Sequence, residues 1–277
     1  CVMCGIEEWK KKMSANYMED NLFYKIADEI IENKEKVVKV AMFVGNEPLL
    51  DKQLAKRIGY FKKHNIKVNF STNGSLMDAK RSVEILESGV DHINFSVDGL
   101  DKQVYERMRK PLKFEDILGN VLQFIKIRDA MDAKSAIRIS IIKNSHLMNE
   151  GDIKRVCNFW YKFLNTQKGD SIRIDELIPM HAAEGNNLED LLYDEESLFA
   201  AANKTPCYIL WNTLTIKCDG SIALCNVDQC RNWRGGNLRE SSISRLWSAK
   251  SKDSIKHKHL TFGRGSVSMC KNCLSWL

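Results

Sequence analysis

The segment VVKVAMFV (37–44), followed directly by GNEP (45–48), decides the fold of this chain. Its apolar, mostly β-branched run is bounded by Gly45, which is typical of a strand buried within a sheet. Parallel α/β folds bind ligands at the carboxyl ends of their strands, where the polar GNEP loop would lie. The segment therefore predicts an α/β fold whose strand ends carry functional residues.

The same pattern of strand, polar turn and helix recurs on both sides of this segment. Further strands are predicted at 66–71, 91–97, 136–142 and 171–178. Helices are predicted at 78–88, 114–132 and 149–164, and by the apolar spacing of Leu22, Phe23, Ile26, Ile30, Ile31, Leu54, Ile58 and Phe61. Asp51 is the predicted N-cap before Leu54, and Gly89 the predicted C-terminal glycine of the 78–88 helix. Nearly continuous apolar strands predict a parallel sheet covered by helices on both faces.

Composition and charge limit the functional classes. Apolar residues make up 44% and charged residues 28% of 277 residues, as in globular domains, and no run of 18 apolar residues occurs. Residues 230–277 hold ten basic and two acidic residues, a charge of +8, whereas the remainder holds 32 and 34, a charge of −2. The basic segment indicates either a solvated surface or an anionic partner. We expect a cytoplasmic protein that binds neither membrane nor nucleic acid.

Nine cysteines form two groups with one isolated residue between them. They are Cys1, Cys4, Cys157, Cys207, Cys218, Cys225, Cys230, Cys270 and Cys273. Paired cysteines in a chain of this length favour metal binding over a disulfide framework. The predicted ligands of one centre are Cys207, Cys225, Cys270 and Cys273, with zinc or an iron–sulfur cluster both open. Cys218 would then pack in a strand and Cys230 lie in a loop.

An alternative arrangement of the cysteines joins the two ends of the chain. In it, Cys1 and Cys4 combine with Cys270 and Cys273 in a zinc ribbon. The two pairs are far apart in sequence, which favours the arrangement within the C-terminal segment.

Four short motifs follow one another in a specific order: CVMC (1–4), GNEP (45–48), STNG (71–74) and SVDG (96–99). Together they resemble the radical S-adenosylmethionine (radical SAM) superfamily. Cys1 and Cys4 match the second and third cysteines of its Cys-x3-Cys-x2-Cys loop, so the first cysteine and first strand are expected before residue 1. The resemblance implies a partial (β/α)6 TIM-like barrel.

The resemblance also implies roles for individual residues. Three thiolates would hold a [4Fe–4S] cluster whose fourth iron binds SAM, and its reduction gives a 5′-deoxyadenosyl radical that takes a hydrogen atom from substrate. Glu47 would accept the methionine ammonium, Arg138 would bind the carboxylate, and Ser96 and Asp98 would face the ribose or methionine. The implied cofactor-binding residues are Met3, Gly45, Asn46, Glu47, Pro48, Thr72, Asn73, Ser96, Asp98 and Arg138.

The C-terminal segment resembles the twitch module, a short form of the SPASM module that binds auxiliary clusters. The match combines Cys207-x12-Gly220-x4-Cys225 with GNL (236–238), Leu246-Trp247 and Cys270-x2-Cys273. It implies an auxiliary [4Fe–4S] cluster on the four cysteines named above, either as a one-cluster twitch or as part of a longer SPASM pattern. The expected domains are a barrel at 1–178, a linker at 179–205 and the module at 206–277.

These resemblances imply a radical SAM oxidoreductase that acts on a small carbinol or sugar-derived metabolite. An auxiliary cluster would accept one electron, and a flavodoxin- or ferredoxin-type donor would reduce the enzyme. Candidate catalytic groups are His181, Glu184 and Tyr105, with Asp175 and Glu176 beside them. Tyr105 and Arg109 are expected on an exposed helix face. The alternatives are a maturase of ribosomally made peptides and a non-enzymatic, zinc-stabilised binding protein.

Overall fold

The computed structural model describes residues 17–143, 148–176, 195–228, 233 and 235–273. The described helices are α1 Asp20–Glu32, α2 Leu54–Lys62, α3 Ala79–Glu87, α4 Lys102–Met108, α5 Phe114–Ala130, α6 Glu150–Trp160, α7 Glu195–Lys204, α8 Ile209–Asn212, α9 Ile243–Trp247 and α10 Lys250–Phe262. The strands are β1 Val40–Ala41, β2 Val68–Thr72, β3 His92–Ser96, β4 Ala136–Lys143, β5 Ser171–Glu176, β6 Thr215–Ile216 and β7 Ile222–Ala223. None of these helices is long and apolar enough to span a bilayer.

A parallel five-stranded sheet organises the first of two structural units, which comprises residues 33–176. Its strands follow the chain in the order β1-β2-β3-β4-β5, and each pairs in parallel with the next. The predicted α/β class is therefore confirmed. The strand predicted at 37–44 is shorter, since β1 pairs with β2 only at Val40 and Ala41.

The described helices of this unit cover one face of the sheet rather than both. Right-handed crossovers between strands that are neighbours in sequence and in space leave all the helices on the same side. On that side Phe95 of β3 packs edge-on against Phe124 of α5, with ring centroids 5.2 Å apart. The buried strand residues of this face are Val68, Phe70, Thr72, Ile93, Phe95, Ile137, Ile139 and Ile141. The expectation of helices on both faces was wrong.

The opposite face of the sheet is polar, because residues of the other parity alternate with the apolar set along each strand. We call it the polar face. It is formed by the half-buried residues Asn69, Ser71, His92, Asn94, Ser96, Arg138 and Ser140. This arrangement suits the inner wall of a partial barrel, where side chains surround a bound ligand instead of a helix layer.

Local sequence signals set most of the helix ends. The Asp78 carboxylate caps α3 by accepting from Arg81 N at 2.7 Å, and Gly89 follows the helix with φ +79°, as predicted. Asp51 does not cap α2 directly. Its backbone oxygen accepts from Leu54 N, while its carboxylate accepts from Gln53 N and Arg57.

The second unit comprises residues 17–32 and 195–273. Helix α1 supplies Leu22 and Ile26 to its core, and the other buried members are Ile222, Leu238 and Leu246. The Glu29 carboxylate also accepts from Ile243 N at 2.6 Å, at the start of α9. The sequence predicts a barrel domain that includes α1, whereas α1 packs with the C-terminal segment.

A small hairpin lies at the centre of the second unit, where the sequence predicts one. Strands β6 and β7 pair antiparallel, with Thr215 opposite Ala223. Gly220 closes the turn with φ +86°, and a Cβ atom there would approach Asn237 Oδ1 to 2.8 Å. Both the left-handed backbone and the close approach require glycine at this position.

Candidate functional site

Glu47 joins two strand-end loops at the carboxyl edge of the parallel sheet. Its Oε1 accepts from Thr72 Oγ1 at 2.7 Å and from Leu49 N at 3.1 Å, while Oε2 accepts from Asn73 N at 2.8 Å. Burial raises the pKa of Glu47, and these three hydrogen bonds oppose that increase. A carboxylate offers about four acceptor positions, so three bonds leave one position for a ligand. The structure thus brings the GNEP and STNG motifs together.

The rest of the GNEP loop gives Glu47 its position. Gly45 has φ +67°, a left-handed conformation that glycine adopts without strain, and Asn46 is exposed beside it. Pro48 is buried and begins a single 3₁₀ turn, Pro48–Leu50, which Glu47 caps. The fixed backbone angle of proline suits this first helical position.

Asp98 joins the next pair of strand ends, but its side chain is fully buried. Arg109 binds it through two bonds, Nε to Oδ2 at 2.5 Å and a terminal nitrogen to Oδ1 at 2.8 Å. Asp98 Oδ1 also accepts from Ile142 N at the end of β4. The structure therefore supports a positioning role for Asp98, while the predicted contact of Asp98 with the cofactor remains a prediction.

Tyr105 and Arg109 are buried, so the expectation that they occupy an exposed helix face was wrong. Tyr105 is fully buried and Arg109 is 8% exposed. Burial raises the pKa of Tyr105 to about 12, with Arg109 lowering it and Asp98 raising it. A phenol that holds its proton this tightly is a poor general base at neutral pH.

Hydrogen bonds cross the polar face from strand to strand. Asn94 of β3 donates to Ser71 Oγ on β2 at 3.1 Å and accepts from Ser140 Oγ on β4 at 2.7 Å. Arg138 Nε donates to Ser171 Oγ on β5 at 3.4 Å, and Ser96 lies opposite Ser140 in register. The candidate SAM residues Ser96 and Arg138 therefore lie on the same face, beside this network.

His92 belongs to the same face, and none of the four sequence motifs includes it. Burial lowers its pKa to about 4, and the nearby positive charges of Arg138 and Lys39 lower it further. Its Nε2 and the Oδ1 of its register partner Asn69 are buried without a hydrogen-bond partner among the described residues. The alternation of polar residues along β2, β3 and β4 was the available signal for this face.

The four cysteines predicted to bind one centre line a single cavity in the second unit. This cavity has a volume of about 500 Å³, part of it open to solvent. We call it the thiol cavity. Its cysteines are Cys207, Cys225, Cys270 and Cys273, and His259, Arg264 and Met269 are among its other lining residues. Cys218 does not line this cavity.

The described cysteines do not form disulfides with one another. Burial raises the pKa of Cys225 to about 11 and also raises that of Cys207. The backbone amides of Val227 and Asp228 near Cys225, and that of Ile209 near Cys207, oppose this increase in pKa. Such buried thiols become thiolates when they bind a metal, and amide donors stabilise that form.

Among the described residues, no group of three or more His, Cys, Asp or Glu side chains could hold one metal ion. Four thiols nevertheless line one cavity, with backbone amides near two of them that lower the thiol pKa. This donor set fits an iron–sulfur cluster, which carries its thiolates on separate irons.

Two side chains hold the Cys270-x2-Cys273 turn in place, and the sequence analysis did not identify either. Arg264 is buried and donates to the backbone oxygens of Cys273 and Thr205, so it ties the two ligand segments together. Asn203 of α7 exchanges two hydrogen bonds with Asn272, which has φ +58°. Because these partners lie far apart along the chain, no local pattern marks them.

Several predicted site residues lie outside the described part of the chain. They are Cys1, Met3, Cys4, His181, Glu184 and Cys230. Their roles remain predictions.

Comparison with known proteins identifies both units. The family model of the Radical SAM superfamily matches residues 1–156, and that of the SPASM iron-sulfur cluster-binding domain matches residues 207–274. A "Probable GTP 3′,8-cyclase" of Methanococcus maripaludis (strain S2) is 24% identical over 193 residues. The alignment covers 69% of this chain and only 58% of that relative.

Two solved structures share the fold. BtrN in complex with AdoMet and 2-DOIA has a TM-score of 0.55 at 16% identity, covering 98% of this chain and 86% of that one. Native anSMEcpe with bound AdoMet and Kp18Cys peptide has a TM-score of 0.58 at 17% identity, covering 86% and 74%. The two family matches imply a [4Fe–4S] cluster that binds SAM and an auxiliary iron–sulfur centre. The chain belongs to the radical SAM superfamily, with a SPASM-type iron–sulfur domain in its C-terminal segment.

Proposed function

We propose that this chain is a radical SAM oxidoreductase that oxidises a small carbinol or sugar-derived metabolite. The observation that carries this proposal is the convergence of four cysteine thiols on the thiol cavity. An auxiliary cluster held there can take up an electron, which an oxidation requires and a simple hydrogen abstraction does not. The 2-DOIA bound to the structurally similar BtrN supports a small substrate of this kind.

The proposed reaction balances as a two-electron oxidation. When bound, SAM and its reduced [4Fe–4S] cluster supply a radical that removes a hydrogen atom from the carbinol carbon, and the auxiliary cluster accepts one electron. The substrate also loses its hydroxyl proton and becomes a carbonyl compound. The base that takes this proton is proposed to be His181 or Glu184.

The chain's own residues bind and orient the reactants in this scheme. Cys1 and Cys4 would hold the first cluster, and Cys207, Cys225, Cys270 and Cys273 the auxiliary cluster. The free acceptor position of Glu47 would bind the ammonium of SAM, with Arg138 on the polar face for the carboxylate. The pair of Asp98 and Arg109 would keep the strand ends in position around them.

A flavodoxin- or ferredoxin-type protein is the proposed electron donor. Such donors are acidic, and the positive charge of residues 230–277 would attract them. This attraction would be weakened by added salt, since exposed charges are screened.

Cysteine substitutions test whether the first cluster cleaves SAM and the auxiliary cluster accepts the electron. We expect Cys4→Ala to abolish SAM cleavage. Cys270→Ser should still cleave SAM to 5′-deoxyadenosine but form at least 100-fold less oxidised product, because the electron acceptor is lost. Cys218→Ser is the matched control, since Cys218 does not line the thiol cavity, and it should retain both activities. Full product formation by Cys270→Ser would overturn the electron-acceptor role.

Peptide modification is the second candidate function, favoured by the peptide bound to the similar structure of anSMEcpe. The two candidates differ in the molecule that loses a hydrogen atom. Deuterated 2-DOIA and deuterated Kp18Cys peptide are suitable probes in separate incubations with SAM and dithionite. Deuterium in the 5′-deoxyadenosine, measured by mass spectrometry, identifies the substrate class. Transfer from the peptide alone would replace the metabolite proposal.

A further inference from the structure

His259 is one of two buried residues, with Lys252, of the basic helix α10. Its side chain is fully buried and lines the thiol cavity beside the four cysteines. By contrast, His257 of the same helix is exposed. The position of His259 therefore needs an explanation that the helix itself does not provide.

The hydrogen bonding of His259 fixes which ring nitrogen carries the proton. Nδ1 accepts from the backbone N–H of Cys207 at 3.3 Å, so it cannot carry a proton itself. A ring whose Nδ1 accepts a hydrogen bond is the neutral imidazole, because the imidazolium ion carries a proton on both nitrogens. In a neutral imidazole with Nδ1 as acceptor, Nε2 carries the hydrogen.

The Nε2–H group of His259 has no hydrogen-bond partner among the described residues, although it is buried. Nearly all buried hydrogen-bond donors in proteins have an acceptor, so a buried donor without one indicates a missing partner. The cavity that His259 lines is the one that the four thiols share. A sulfur atom of a cluster in this cavity would complete the donor's hydrogen bonding.

We propose that the Nε2–H of His259 donates a hydrogen bond to a sulfur of the auxiliary cluster and so raises its reduction potential. The proposal rests on the proposed function, in which the four cysteines hold that cluster. A donor near the sulfurs stabilises the reduced form, because that form carries the additional negative charge. A nitrogen that carries a proton does not bind iron, so the same geometry excludes His259 as a fifth ligand.

Two substitutions distinguish the role of Nδ1 as an acceptor from the role of Nε2 as a donor. In His259→Asn the side-chain oxygen can replace Nδ1 as acceptor for Cys207 N–H, but the donor is lost. In His259→Gln the longer side chain can place an amide N–H near the position of Nε2. The exposed His257→Asn is the matched control. All are made in a Cys4→Ala background, so that only the auxiliary cluster contributes to the signal.

The midpoint potential of the auxiliary cluster, from a redox titration followed by electron paramagnetic resonance, is the first measurement. We expect His259→Asn to disfavour reduction by about tenfold, or ~59 mV for one electron. His259→Gln should recover most of that change, and His257→Asn should match the background protein. An unchanged potential in His259→Asn with its iron retained would overturn the hydrogen bond.

A second measurement decides the question if His259→Asn loses its iron. Protein labelled with ¹⁵N-histidine should show a weak nitrogen coupling to the reduced cluster, as expected across a hydrogen bond. No coupling would reject the proposal, and a strong coupling would show direct ligation and reject it as well. If the Cys4→Ala protein with His259 intact bound no iron, the proposed cluster site would be refuted, and with it the proposed function.

Discussion

At the scale of single residues, Glu47 combines a structural task with a proposed binding task. Its carboxylate connects the loops after β1 and β2, yet burial raises its pKa and so disfavours the charge that it carries. An ammonium group beside it would offset this cost, because an opposite charge favours the ionised form. SAM binding and a stable carboxylate would therefore support each other at this position.

Replacing Glu47 by glutamine tests this coupling. The amide keeps the size of the side chain but removes the charge, and its NH₂ group cannot accept from Asn73 N. We expect SAM affinity to fall by at least tenfold, about 1.4 kcal/mol. The loss of one acceptor should also reduce the free energy of unfolding by about 1–3 kcal/mol. Anaerobic calorimetry with SAM and urea unfolding measure the two effects.

Thr72→Val provides the matched control for Glu47→Gln. It removes the hydrogen bond from Thr72 Oγ1 to the carboxylate, and the bond that Oγ1 accepts from Gly74 N, but leaves the charge of Glu47. Stability should fall by a similar amount, while SAM affinity should change much less. Equal losses of affinity in both variants would contradict a direct ionic contact between Glu47 and SAM.

At the scale of secondary structure elements, the sequence predicts the strands and helices well but not the two faces of the sheet. Apolar runs and turn residues locate β2 to β5 to within about two residues, because these signals are local. Asn94 and Ser140 are polar residues within largely apolar strands. Because side chains alternate between the two faces of a strand, such polar positions mark one face of the sheet. Strand order decides which face the helices cover, and it becomes visible only in the folded structure.

The ion pair between Asp98 and Arg109 shows how one contact can connect three elements. It joins the loop after β3 to the end of α4, and Asp98 also accepts from Ile142 N on β4. Arg109→Leu should lower the free energy of unfolding by about 3–5 kcal/mol, because Asp98 would remain buried with an uncompensated charge. Urea unfolding followed by circular dichroism measures this loss.

An exposed pair serves as the control for this prediction. Arg155 and Asp152 form an ion pair on α6, where the Arg155 side chain is 74% exposed. Arg155→Leu should change stability by less than about 1 kcal/mol, since water screens exposed pairs. If Arg109→Leu cost no more than this control, the connecting role of the buried pair would be refuted.

At the scale of the whole molecule, the sequence predicts which four cysteines lie together in the second unit but not the side chains that fix their loops. Cysteine spacing selects Cys207, Cys225, Cys270 and Cys273, and the structure gathers the same four around one cavity. Arg264 ties their loops together through carbonyls 59 and 9 residues away, at Thr205 and Cys273. His259 and Cys207 are 52 residues apart. Such contacts depend on the tertiary fold, so no short sequence pattern predicts them.

The assignment of α1 to the second unit leads to a prediction about cluster retention. Leu22 is 3% exposed and packs in one core with Ile222, Leu238 and Leu246, although it lies 200 or more residues before them in the chain. Leu22→Ala should cost about 2–5 kcal/mol through lost contacts and a cavity. In the Cys4→Ala background, the auxiliary-cluster absorbance should therefore disappear at lower urea concentration.

Leu54→Ala is the matched control for this experiment, because Leu54 is equally buried, at 2% exposure, but belongs to the first unit. Leu54→Ala should lower the unfolding midpoint of the first unit by a comparable amount. The urea concentration at which the auxiliary-cluster absorbance disappears should stay close to that of the Cys4→Ala protein. If Leu22→Ala spared the cluster and Leu54→Ala released it, α1 would contribute its stability to the barrel, as the sequence alone suggested. If instead Leu22→Ala released the cluster and Leu54→Ala spared it, α1 would belong to the core of the second unit. Residues 195–273 would then need α1 to complete that core.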